Sequence, residues 1–163
     1  MRLRDNPTVE VSRKVACSPE RAWELVTDIT LPTRVDGELQ RVEWLDGASE
    51  VAPGARFRGY NENAELGQWQ TDATIVDVED GRRWVWSVGP ADAEPWAYWG
   101  FEVDPARDGS IVRQWAKIGD GDSPFAGFVA AAPDKEARII EGRLAVWRAG
   151  MESNLDGIET ASA

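Results

Sequence analysis

The chain has 163 residues, nine of them tryptophan, with one cysteine, no histidine and a formal net charge of −11. A single cysteine forbids an intramolecular disulfide, and the lack of imidazole excludes Ser-His-Asp and Cys-His catalysis and leaves too few soft ligands for a structural zinc site. The negative field opposes binding to nucleic acid or anionic lipid surfaces, and no apolar run approaches the roughly 18 residues of a membrane span.

The opening stretch "MRLRDNPTVEVSRK" has no apolar h-region of a secretory signal, so the reading is a cytoplasmic chain forming one domain over 1–163. Residues 8–16, "TVEVSRKVA", alternate weakly and predict a strand. In "CSPERAWELVTDI", Ser18 is placed as an N-cap and Pro19 as the first helical residue, whose missing N–H would have been an orphan anyway. Ala22, Leu25, Val26 and Ile29 then recur at helical spacing. Pro32 and Gly37 bracket a second short helix or turn. Cys17, at the strand–helix junction with no base beside it, reads as a buried structural thiol.

From 39 to 118 the apolar period changes to two. Six strands are predicted: 39–45, 55–62, 68–78, 82–88, 97–103 and 110–118. The breaks are short and turn-rich, so sequence neighbours should pair antiparallel, with "VEDGRR" the clearest hairpin. Segment 121–134, "GDSPFAGFVAAAPD", reads as irregular and rich in small residues.

After Pro133 the helical period returns. Ala137, Ile140, Leu144, Trp147, Met151, Leu155 and Ile158 form one apolar stripe, predicting a long helix over about 134–159. Gly142, Gly150 and Gly157 interrupt it, each at about 1 kcal/mol relative to alanine. Close approach to a strand, or room left for a ligand, would explain them. The fold class is therefore α+β: seven antiparallel strands curled round one long helix, with two short helices between the first and second strands. If the sheet curls more than the helix fills, a cavity remains.

This order resembles the START/birch-pollen-allergen-like helix-grip superfamily, SRPBCC, and within it the bacterial polyketide cyclase/dehydrase-like branch. The resemblance rests on "SPERAWELVTDITLPTRV", "VEWLDG", "GARFRGYNENAELGQW", "DGSIVRQWAKIGDGDSPF" and "PDKEARIIEGRLAVWRAGMESNLDGIE". It implies an apolar cavity between sheet and terminal helix. Relatives bind lipids, sterols or polyketides, and some cyclise and dehydrate polyketide chains through pocket Arg, Tyr or His. No residue here matches such a catalytic set, and the tail "MESNLDGIETASA" lacks a lysine expected near its end.

The candidate site residues follow from strand alternation. Trp84 and Trp86 share one face with Val88, and Trp99 and Phe101 share one with Val103. Nine tryptophans against four phenylalanines and two tyrosines is a costly way to fill a dry core, because each buried indole N–H needs a partner. Two or more of the indoles are therefore expected to line a cavity, joined by Trp69, while Trp44 and Trp96 are assigned to an edge or the surface. Phe57 and Asn61 share a face, so an inward Phe57 brings Asn61 inward. Either a neighbouring backbone group or a ligand then satisfies its amide. Strand 110–118 has two possible phases. One turns Val112, Gln114, Ala116 and Ile118 inward; the other buries Ile111 and Trp115. Trp147 and Met151 complete the set from the helix stripe.

The functional expectation is binding of a hydrophobic or amphipathic small molecule, lipid- or polyketide-like, between sheet and helix, with 121–134 as portal or lid. The alternative is a polyketide-type aromatase/cyclase or dehydratase working without histidine. A third reading is a filled-core interaction module. No cofactor, metal, nucleic acid or membrane insertion is expected, and the chain is read as a monomer or homodimer.

Overall fold

The computed structural model describes residues 1–163. In chain order it contains β1 (Thr8–Val15), α1 (Pro19–Val26), a 3-10 turn (Leu31–Arg34), β2 (Leu39–Leu45), β3 (Arg56–Asn63), β4 (Gly67–Glu79), β5 (Arg83–Val88), β6 (Ala97–Ala106), β7 (Gly109–Ile118), α2 (Pro124–Ala131) and α3 (Glu136–Ser162). The strands form one antiparallel sheet in the order β1-β7-β6-β5-β4-β3-β2. Hairpins link β2 to β7 in succession, as the short turn-rich breaks require. Only β1 pairs out of sequence, closing on β7 with Val11 opposite Gln114. Register shifts at Leu39/Arg41 and Ile75/Asp77 add local twist where the sheet bends.

Ser18 caps α1 by accepting a hydrogen bond from the Arg21 amide at 3.2 Å, with Pro19 in the first turn. This short helix turns Ala22, Leu25 and Val26 into the core and packs on β6, β7 and α3. α3 lies mainly over β1 and β7, against α1 and the 3-10 turn. Its stripe seals Ile140, Leu144, Met151, Leu155 and Ile158 against the concave face of the sheet. Ala137 departs from the expected stripe: it is exposed, because the first turn of α3 runs past the core and Ile140 is the first residue to reach it.

Three further features are informative. Segment 121–134 is not wholly irregular; it holds the eight-residue helix α2. Ser123 Oγ accepts from the Ala126 amide at 3.0 Å and Pro124 opens the first turn, the same Ser-Pro device that starts α1. The glycines of α3 also divide. A Cβ on Gly157 would lie 2.8 Å from Val35 Cγ1, so close packing demands glycine there, although the neighbour is a loop residue and not a strand. At Gly142 and Gly150 a Cβ would meet nothing within 4 Å. Finally, β7 takes the first of its two phases: Val112, Gln114, Ala116 and Ile118 are buried, and Ile111 is exposed on the convex face.

Trp115 accordingly lies on the convex face, across Gly100. A Cβ on Gly100 would fall 2.6 Å from the indole, so the ring occupies the space that glycine leaves. Its N–H is buried without a partner.

Candidate ligand-binding site

The pairing of β5 with β6 sets Trp84 opposite Phe101 and Trp86 opposite Trp99 on the concave face. The rings form a continuous band. Trp44 meets Phe57 edge-on at 5.8 Å, Phe57 meets Trp86 at 6.2 Å, and Trp86 stacks on Trp99 at 6.3 Å. Trp99 then meets Trp147 of α3 at 5.0 Å. The band crosses from β2 to the helix. Trp44 lies on the edge strand β2, as one of the two expected placements has it, yet it joins the concave wall, because its register partner is Phe57 and the two rings interlock.

Burial divides these residues. Trp84 is 2% exposed, and its indole N–H donates to the Val26 carbonyl at 3.0 Å, satisfying both groups at the last turn of α1. Phe57, Phe101 and Met151 are likewise buried in the central core. Gln114 is buried and accepts a hydrogen bond from Asn154 of α3 at 3.0 Å. Trp86 and Trp99 on the concave face of the sheet, and Trp147 of α3, are by contrast only half-buried.

Asn61 and Trp69 sit opposite one another on β3 and β4, both half-buried. They line a hollow of about 400 Å³ with Gln40, Tyr60, Gln68 and Gln70. A second hollow, of about 370 Å³, lies beside the end of α1 among Trp23, Asp28, Ile29, Trp44 and Val51.

Three residues around the band escape sequence reasoning: Arg143, Glu38 and Asn63. Arg143 Nη1 donates to Glu38 Oε2 at 2.9 Å, and Asn63 Nδ2 donates to the same oxygen at 2.6 Å. The Arg143 guanidinium stands 5.9 Å from the Trp69 ring and 5.8 Å from that of Trp147, within cation–π range of both. One signal was available. Arg143 precedes Trp147 by four residues, so the two share a face of α3.

The ionisable groups with clear shifts are held in their charged forms. The bidentate Arg58 guanidinium keeps the Asp72 carboxyl below its usual range, against a smaller opposing effect of burial. A hydrogen bond from the Tyr60 hydroxyl lowers Glu43. Burial pushes Asp28 up, but hydrogen bonds from the Thr30 hydroxyl and amide and from Arg34 outweigh it, and the net shift is downward. Both tyrosines project from the convex face: Tyr60 bonds Glu43, and Tyr98 lies under Lys117.

A bent seven-stranded antiparallel sheet, two short helical segments after the first strand and a long terminal helix packed on the concave face define a helix-grip protein of the SRPBCC superfamily. Residues 6–159 match the family described as "Polyketide cyclase / dehydrase and lipid transport", and the chain belongs to that family. Similar solved structures include the Polyketide_cyc-like protein Cgl2372 from Corynebacterium glutamicum, at 24% identity and TM-score 0.62, covering 93% of this chain and 88% of that one. The structure of Ara h 8.0201 aligns at 12% identity and TM-score 0.61, covering 96% of this chain and 97% of that one. The di-domain ARO/CYC BexL, from the BE-7585A biosynthetic pathway, aligns at 11% identity and TM-score 0.73. That alignment covers 98% of this chain and 52% of BexL, so this chain spans about half of the di-domain protein. At these identities the likeness is one of fold. No curated protein matches the sequence.

Proposed function

We propose that this chain binds a hydrophobic or amphipathic small molecule, lipid- or polyketide-like, against the aromatic wall between the sheet and α3. The observation that carries the reading is the contrast within one stacked set. Trp84 is closed off and hydrogen-bonded, whereas Trp86, Trp99 and Trp147 of the same stacked set are only half-buried. A guest covering the remaining ring surface gains about 25 cal/mol per Å² of apolar area, less the cost of ordering it. Asn61 supplies a polar point for orientation, while Gln114, buried and bonded to Asn154, is left to hold α3 in place. α2 serves as the lid, with Val129 and Phe125 holding it to the core and Phe128, 56% exposed, facing outward.

Binding is preferred to cyclase chemistry on the placement of proton-transfer groups. With no histidine and both tyrosines on the convex face, a cyclase would have to move protons through a carboxylate such as Glu38, already paired with Arg143, or through Arg-assisted water.

The test is native mass spectrometry of protein purified without denaturation, followed by tryptophan-fluorescence titration with fatty acids, sterols and polyketide mimics. The expected result is a co-purifying small molecule, or a saturable change in indole emission that weakens at least tenfold in Trp99→Ala. No adduct and no response to any of the three classes would overturn the reading.

A further inference from the structure

We infer that Arg143 is the specificity-determining residue of this site and that it selects a guest bearing a carboxylate on a flat apolar body. The inference rests on the binding proposal above and narrows it to a chemical class.

The first support is the unspent capacity of Arg143. Its side chain is 21% exposed, yet only Nη1 is engaged, with Glu38. Nε and Nη2 bond to no protein atom. A guanidinium carries five N–H donors in a rigid fork, and its free edge matches a carboxylate in two parallel hydrogen bonds. The other partly shielded arginines are spent differently. Arg13 ties β1 to Glu152, Asp156 and Glu159 of α3, Arg56 donates from Nε to Thr74 and lies 4.0 Å from Asp72, Arg58 is bidentate with Asp72, and Arg113 bridges Glu10 and Glu102.

The second support is position. The guanidinium stands at the α3 end of the aromatic band, 5.9 Å from the ring of Trp69 and 5.8 Å from that of Trp147, and Trp147 meets Trp99. A flat guest lying along Trp86 and Trp99 would bring a terminal carboxylate to the free edge of the fork. The third support is preorganisation. Glu38 is itself held by Asn63, so the guanidinium is fixed before a guest arrives, and less is lost in ordering it.

The test uses 1-pyrenebutyric acid and 1-pyrenebutanol, which share a body and differ in the charged head. Binding is read by energy transfer from tryptophan to pyrene in the intact chain. The wild type is expected to prefer the acid about tenfold, as a charge-assisted bidentate contact requires. In Arg143→Met, which keeps the length of the stem, the ratio should fall to about one; in Arg143→Lys it should be intermediate. Glu38→Gln should keep or increase the preference. Thermal melts of each variant show whether the fold survives. Should Arg143→Met fail to fold, Arg143→Lys and the wild-type ratio still decide the question. Equal affinity of the wild type for both probes, or loss of both together in Arg143→Met, overturns the role of Arg143 and leaves the binding proposal standing. Failure of both probes to bind at all overturns both.

Discussion

The side-chain amide of Asn154 donates to the side-chain carbonyl of Gln114 at 3.0 Å, both buried, and so pins α3 to the middle of β7. Two amides in an otherwise apolar layer fix the height at which the helix crosses the sheet, because sliding α3 by one turn would orphan both. Asn154→Leu is expected to cost about 1–3 kcal/mol by leaving Gln114 unpaired. Urea unfolding of the two single variants and of Asn154→Leu/Gln114→Leu gives the coupling. Strict additivity would show that the bond contributes nothing to stability.

Trp84 and Trp99 should separate stability from binding. Trp84→Phe removes the N–H that satisfies the Val26 carbonyl and opens a void, and should cost about 2–4 kcal/mol. Trp99→Phe leaves no buried partner stranded and should cost less than 1.5 kcal/mol while weakening the fluorescence response to ligand. Chemical denaturation alongside ligand titration checks both. A larger stability loss at Trp99 than at Trp84 would reverse the assignment of core and wall.

The glycines of α3 predict opposite signs. Gly142→Ala places its methyl in open space and should stabilise by roughly 0.5–1 kcal/mol. Gly157→Ala drives a methyl to 2.8 Å from Val35 Cγ1 and should lower stability. Melting temperatures of the pair suffice, and a stabilised Gly157→Ala would mean that the loop carrying Val35 yields easily.

Acid sensitivity should be traceable to Asp72. Its carboxyl titrates lower in the folded chain than in the unfolded one, where the ordinary value is about 3.9. The folded state thus holds its proton less readily, and the stability gained is complete above that value and lost as pH falls through the lowered one. Asp72→Asn should flatten the stability profile below about pH 4, and Arg58→Met should do the same by returning Asp72 to its ordinary range. Urea midpoints at pH 7 and pH 3 measure this. An unchanged pH 7-to-pH 3 difference in both variants would remove Asp72 from the account.

If α2 is the lid, its amides should exchange with solvent faster than those of β6 and β7, and more slowly once a ligand is bound. Protection of 124–131 equal to that of the central strands would exclude the role.

Much of the architecture was legible in the chain. Alternation in "RRWVWSV" and "AYWGFEV" gave strands whose inward residues are the ones that stack, since a period of two has only one apolar face. The Ser18-Pro19 pair gave the start of α1, and the same pair at Ser123-Pro124 marked α2. There the run of small residues obscured it. The phase of β7 was ambiguous because both faces carry apolar residues. Pairing settles it: Gln114 is flanked by Val11 and Phe101 in register, and Trp115 by Glu10 and Gly100.

The sequence by itself determined that this protein is an acidic antiparallel sheet with a terminal helix, rich in indole and without histidine, because periodicity and composition are local properties. Only the tertiary structure decided which indoles are sealed and which stay half-open, that Trp44 joins the wall, and that Arg143 meets Glu38 across 105 residues of chain. Those outcomes depend on sheet curvature and on where α3 crosses it. Curvature and crossing are set by the summed packing of distant residues, which no local period encodes.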